Sequence, residues 1–341
     1  MANRKTIDRP PKKANCPKMS RELWRIGSPT VALYQILFAV GEALSKILFQ
    51  LQKVMFFNSK NYAALLTPWK NEPIPLQWMD ESRVAVSRDI TTRHMETKIF
   101  ATRQEMGAAA ANAAAEFLRQ TLEKQETVRA VFAAAPSQNE MLAALIEAEG
   151  IDWNRVEAFH MDEYVGLDSA APQRFARFLK ERLFDRLPFR AVYLIETDFP
   201  EPAERYEKLL RLAPIDLVCL GIGENGHIAF NDPPVADFSD PVWVKIVELD
   251  EICRQQQVND GCFPTLDDVP RQAMTLTIPA LLSGRRLVCT APGLTKRQAV
   301  LQTLKYPIST ACPATILRNH SDCTLFLDKE SAQLAIAELR S

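Results

Sequence analysis

An α/β fold, an open, doubly wound, mostly parallel sheet with helices on both faces, is predicted for residues 95–341. Three observations predict it. Short apolar runs alternate with helical stretches from Met95 to the end of the chain. Several of those runs are continuously apolar rather than alternating, as strands covered on both faces must be. Turn residues and polar groups gather where the runs end, most densely in GIGENGHIAFNDPP, residues 221–234. Together these give a Rossmann-like plan, in which ligands sit beyond the carboxyl ends of the strands.

Each element follows in order. The run KIFAT precedes an Ala/Glu-rich helix over about 103–124. VRAVFAAA reads as a buried strand. Ser137 with Glu140 three residues later reads as a capping box, opening a helix that stops at Gly150. RVEAFHM is a strand, PQRFARFLKERLF a helix, RAVYLI a strand and PAERYEKLLRL a helix. DLVCL then leads into the glycine-rich stretch. RRLVCTA (strand), TKRQAVLQTL (helix), PATILR (short helix), CTLFLD (strand) and a closing helix complete the domain.

Residues 1–94 do not share this rhythm. They form a basic, proline-containing segment that reads either as a partly ordered extension or as upstream sequence, with Met95 the natural beginning. The chain's net charge of −1 hides an asymmetry. Residues 1–94 carry 15 Lys/Arg against 7 Asp/Glu, and residues 95–341 carry 26 against 35. The overall balance implies no nucleic-acid or membrane partner. VALYQILFAVGEALSKILFQLQKVMFF, residues 31–57, is long and apolar. Glu42 and Lys46 interrupt it, each unfavourable by roughly 2.5–3.5 kcal/mol at a bilayer centre, so an amphipathic helix is the favoured expectation, with a membrane span as the alternative. Seven cysteines without a C-x-x-C pair do not make a disulfide framework, and a reducing cytoplasm is the expected setting.

Three stretches carry chemistry. In 221–234, Gly221, Gly223 and Gly226 let the backbone turn and approach a ligand, with His227, Asn225 and Asp232 held at a strand end. The alternative is a glycine-rich turn with one structural histidine. In FHMDEYVGL, residues 159–167, Asp162 and Glu163 sit between apolar residues at another strand end. An acid there can abstract a proton, and the His160–Asp162 spacing also permits metal ligation. Thr295 and Gln298 resemble a capping box that places Lys296 and Arg297 in a first helical turn. Cations there oppose the helix dipole unless an anion binds. Arg254 is a further anion-binding candidate, and Ser137 marks another helix start that suits an oxyanion.

MDEYVGL and GIGENGHIAFNDP resemble the glucosamine-6-phosphate deaminase family, within the wider group that includes 6-phosphogluconolactonases, over about residues 95–341. The tyrosine after Asp162–Glu163 and HIAFN after Gly226 favour the deaminase branch. The resemblance implies that Asp162 moves a proton between C2 and C1 of the opened sugar phosphate and that His227 assists ring opening. It implies that Asn225 and Asp232 orient His227, and that Lys296 and Arg254 hold phosphate. The products would be ammonia and a ketose phosphate, with no metal or organic cofactor needed. Three departures stand out. Asn225 replaces the usual aspartate and Asp232 the usual glutamate, and the phosphate loop AAAPSQNE, residues 133–140, has no glycine. The expected partner is a small sugar phosphate, with a homo-oligomer possible. The competing readings are a lactonase on the same fold and a non-catalytic sugar-phosphate sensor within a regulator.

Overall fold

The computed structural model describes residues 90–91 and 95–338. The stretch 31–57 and nearly all of the N-terminal segment lie outside the described residues. The first strands are β1 (Ile90–Thr91), β2 (Met95–Phe100), β3 (Val128–Phe132), β4 (Val156–His160) and β5 (Asp162–Tyr164). They are followed by β6 (Ala191–Tyr193), β7 (Leu217–Gly221), β8 (Val244–Glu248), β9 (Gln272–Leu276), β10 (Arg286–Thr290) and β11 (Cys323–Asp328). Eight form one sheet in the order β1-β2-β11-β10-β7-β3-β4-β6. All of its pairings are parallel except that of β1, which pairs antiparallel with β2 at the edge. Ile90–Thr91 therefore adds an edge strand beside β2.

Side-chain alternation explains why the strands read as continuously apolar. Successive residues of a strand face opposite sides. Along β7, Leu217 and Cys219 enter one core, and Val218 and Leu220 enter the other. The first core is closed by helices α1 (Arg103–Leu122), α2 (Asn139–Ile146) and α3 (Phe175–Leu179). The second is closed by α4 (Pro202–Leu210), α6 (Ile278–Leu282), α7 (Arg297–Lys305) and α8 (Gln333–Glu338). Helix α5 (Glu251–Asn259) contributes Cys253 to the first core. Helices thus cover both faces, as predicted.

Two local readings need correction. Helix α2 ends at Ile146, not Gly150, and Ser137 does not cap it. Residues Pro136–Gln138 instead form a 3-10 turn, and Glu140 is taken by Arg103 at 2.7 Å. Thr295 likewise does not cap α7; a 3-10 turn, Leu294–Lys296, precedes that helix. The capping box that does form is upstream. Thr102 accepts from the Glu105 backbone N–H at 3.1 Å, and Glu105 accepts from the Thr102 N–H at 3.2 Å.

A second sheet was not anticipated. β5, β9 and β8 form a three-stranded antiparallel sheet in the order β5-β9-β8, pairing Asp162 with Thr275. The strand order of the main sheet then locates the site. From β3 the chain runs outward through β4 and β6, and from β7 it runs outward the other way through β10 and β11. The order reverses between β3 and β7, where a crevice must open.

Candidate active site

A cleft of about 540 Å³ occupies that crevice. The loops after β3, β4, β7 and β10 supply Ser137, Asp162, Gly223, His227 and Lys296 to its wall. Four segments far apart in sequence meet because parallel strands all end on the same side.

Asp162 begins β5 and is 7% exposed. Among the described residues nothing hydrogen-bonds its carboxyl oxygens. Burial, and then the neighbouring Glu163 charge, push its pKa well above the ordinary carboxylate value. A carboxyl held this way has its lone pairs free for a ligand and an appetite for a proton.

Glu163 faces away, as strand alternation requires. It is fully buried and accepts from the backbone N–H groups of Tyr164, Phe175 and Ala176 at 3.0–3.1 Å. Arg174 lies 3.4 Å from it. Burial pushes its pKa up, while these N–H groups and Arg174 act in the opposite direction. Glu163 therefore anchors the start of α3 and does not line the cleft, which corrects its assignment as a catalytic candidate. The proposed His160–Asp162 metal pair fails for a similar reason. His160 Nε2 accepts the Ile195 N–H at 2.7 Å, and burial lowers its pKa to about 3.

The glycine-rich stretch is built to hold His227. A Cβ on Gly223 would lie 2.2 Å from the His227 ring. Gly226 has φ +84°, and a Cβ there would lie 2.4 Å from Cys312 Sγ. Only glycine allows both approaches. Ala229, also in the cleft wall, is held at φ 47°, a strained value of the kind found where a site over-determines its backbone. His227 Nδ1 lies 2.8 Å from Asp232 Oδ1. Asn225 donates to the same carboxylate oxygen at 2.9 Å and accepts from the His227 backbone N–H at 3.0 Å. Burial pushes the Asp232 carboxyl up, but the His227 charge beside it and the hydrogen bond from the Asn225 amide outweigh it, and its pKa is lowered. Asn225 thus fixes the acid, and the acid faces the ring. Cys253, at the start of α5, packs beside Asp232, with its thiol pKa pushed well up by burial and then by that carboxylate.

The other end of the cleft is cationic. Lys296 is 5% exposed, and among the described residues no carboxylate lies within ion-pair distance of its ammonium. Burial lowers its pKa; Asp260 and Glu224 oppose that, and Arg103 adds to it. Arg103, missed in the sequence, reaches the same cleft from the first residue of α1. It is ion-paired with Glu140 and donates to the Pro136 carbonyl, fixing the glycine-free loop from behind. Its only sequence signal was its place directly after a helix cap. Arg297 is exposed on α7 and lines no part of the cleft. Arg254 is also displaced from its expected role. Its guanidinium donates to the Leu266 and Val269 carbonyls, and it does not line the cleft. Helix periodicity explains this, since Gln256 and Gln257 on the same helix face the cleft instead.

Fold and site together define a doubly wound α/β protein with a free buried acid, an acid-oriented histidine and a cationic pocket in one crevice. The chain belongs to the family of glucosamine-6-phosphate isomerases/6-phosphogluconolactonase, whose family model matches residues 101–326. A glucosamine-6-phosphate deaminase of Exiguobacterium sp. is 37% identical over 200 residues, covering 58% of this chain and 77% of that one. One of Bacillus thuringiensis is 39% identical over 187 residues, covering 54% and 70%. Among solved structures, a monomeric glucosamine-6-phosphate deaminase superposes with a TM-score of 0.64 at 28% identity, covering 70% of this chain and 99% of that one. A 6-phosphogluconolactonase from Thermotoga maritima shares the fold, with a TM-score of 0.54 at 23% identity over 68% of this chain and 100% of that one.

Proposed function

We propose that this protein is an amino-sugar-phosphate deaminase that converts glucosamine 6-phosphate, or a close relative, to the ketose phosphate and ammonia. The observation that carries the reading is one cleft holding a buried carboxyl, Asp162, and a buried ammonium, Lys296, neither of which has a partner among the described residues. The first suits a base that must take a carbon-bound proton, and the second suits a phosphate. The named deaminases at 37–39% identity support the same branch. The six cysteines among the described residues are all free thiols, which supports a reducing, cytoplasmic setting.

The geometry divides the work. Lys296, Ser137 and Arg103 hold the phosphate, with the Ser137 hydroxyl and the 3-10 turn beginning at Pro136 presented to it. His227 relays the proton between the ring oxygen and the hydroxyl at C1, opening the sugar, with Asp232 stabilising the charged imidazole. Asp162 takes the C2 proton, a proton reaches the C1 oxygen to give an enaminol, and Asp162 returns its proton to C1 as the amine loses one. The C2–N bond is then an imine and C1 carries a hydroxyl; water adds to the imine, and ammonia leaves as the C2 carbonyl forms. Stoichiometric ammonia and ketose phosphate from purified protein, with a panel of phosphorylated amino sugars and hexoses, tests the proposal. Ketose without ammonia would make it an isomerase, and acid released from a sugar lactone would make it a lactonase.

The anion pocket carries its own prediction. Hydrogen bonds to charged groups contribute about 1.5–3 kcal/mol. Lys296→Ala should therefore raise KM for the phosphorylated sugar roughly 10–100-fold and weaken competitive inhibition by inorganic phosphate in parallel. Arg103→Ala should act in the same direction but less, because Arg103 is partly exposed and shared with Glu140. An unchanged KM in the Lys296 variant would remove the phosphate from this end of the cleft.

A further inference from the structure

We propose that His227, Asp232 and Cys253 form an inhibitory site for a thiophilic divalent cation of the zinc type. Their ligand atoms, one nitrogen, one oxygen and one sulfur, all lie within 4.8 Å of one another, and all three residues are buried. No other such trio occurs among the described residues. Zinc–ligand bonds of about 2.0–2.3 Å place tetrahedral donors roughly 3.3–3.8 Å apart, so shifts of ångström size complete the site. Nitrogen, carboxylate and thiolate together suit zinc better than magnesium or calcium.

Two further observations point to a ligand. Among the described residues, His227 Nδ1 and Asp232 Oδ2 are both buried without a hydrogen-bond partner. Nδ1 approaches Asp232 Oδ1 to 2.8 Å, so the nitrogen and the carboxylate already face each other. Cys253 is also fixed in place, because Asp250 caps the start of α5 by accepting from the Cys253 backbone N–H at 2.6 Å. Of the three, His227 lines the cleft.

Binding balances simply. The cation takes the Nδ1 lone pair, and the ring proton moves to Nε2, so the imidazole stays neutral. The Cys253 thiol gives its proton to solvent as the sulfur–metal bond forms. One proton is released per cation, and nothing is oxidised or reduced. The histidine is then left without a lone pair at Nε2 and cannot relay a proton. Inhibition rests on the proposed role of His227; binding does not.

The test uses the full-length protein, stripped with chelator and titrated with zinc chloride, with each variant scaled to its own metal-free activity. The expected result is one-to-one binding with inhibition that chelator reverses. Cobalt(II) in place of zinc should give a thiolate-to-metal charge-transfer band in the near ultraviolet. Cys253→Ala should abolish the band and weaken inhibition by at least the roughly 10–100-fold typical of losing even an outer-sphere partner. Cys253→Ser gives the same comparison if the alanine variant is unstable. Cys262→Ala, removing the half-buried thiol of the same cleft, should change neither. No band and no inhibition with the parent protein would overturn the proposal, as would an effect that follows Cys262. A band without inhibition would overturn the inhibitory step and count against the role of His227.

Discussion

Asp162→Asn should nearly abolish ammonia release while leaving sugar-phosphate binding and the fold intact. The amide keeps the shape of the carboxyl and removes its basicity, and loss of a general base typically lowers rate by about 10²–10⁴-fold. Exchange of the substrate C2 proton with solvent deuterium is the sharper readout, because it reports the chemical step even where release is slow. Exchange at the parent rate in the asparagine variant would show that Asp162 is not the base. Glu163 would not then replace it, since its carboxylate is spent on the backbone of α3. The raised pKa of Asp162 adds two pH expectations. The base works ionised, so kcat/KM should fall with acid from a higher pH than an ordinary carboxylate would give. For stability the sign is opposite. A carboxyl whose folded pKa is raised stabilises fully below its unfolded value of 3.8 and loses that contribution as pH rises through the folded value. The gap in Tm between Asp162→Asn and parent should therefore grow in the variant's favour from acid to neutral pH.

His227→Gln should lower turnover of the closed-ring sugar phosphate by an order of 10²-fold or more, yet leave binding of an open-chain analogue nearly unchanged. Glutamine fills much of the space against Gly223 but cannot relay a proton. C2 exchange from an open-chain substrate should survive, because Asp162 is untouched. Equal loss of ring-opening and of open-chain binding would make the histidine structural. Asp232 supplies a pH counterpart. Its pKa is depressed by its partners, so its contribution to stability holds above the unfolded value of 3.8 and is lost as pH falls through the folded one. In His227→Gln the charged partner is gone, and the acid limb of the stability profile should shift to higher pH.

Much of this was legible beforehand because it depends on local pattern. Val128–Phe132 and Cys323–Asp328 are buried on both faces, so their runs are mostly apolar, and a polar exception such as Arg129 is satisfied by the Leu209 and Leu210 carbonyls. Gly223 and Gly226 were readable as sites of close approach because no other residue tolerates them. The small antiparallel sheet was not readable. β5 is three residues long, and its identity as a strand depends on β9, more than a hundred residues away.

The residues of the cleft divide in the same way. By itself the sequence determined the parallel α/β plan, from the alternation of apolar runs and helices, and the two stretches that present Asp162 and His227, each encoded within a dozen residues; the resemblance of those stretches to a known family pointed to the deaminases. Only the tertiary structure decided direction and company. It turned Asp162 into the cleft and Glu163 away from it, spent Arg254 on the carbonyls of Leu266 and Val269, and brought Arg103 to the cationic end of the cleft. It also set Cys253 beside the histidine–acid pair. The physical reason is that a side chain's identity is local, but which side of a strand or helix meets ligand, and which partner satisfies its charge, is fixed only when distant elements pack.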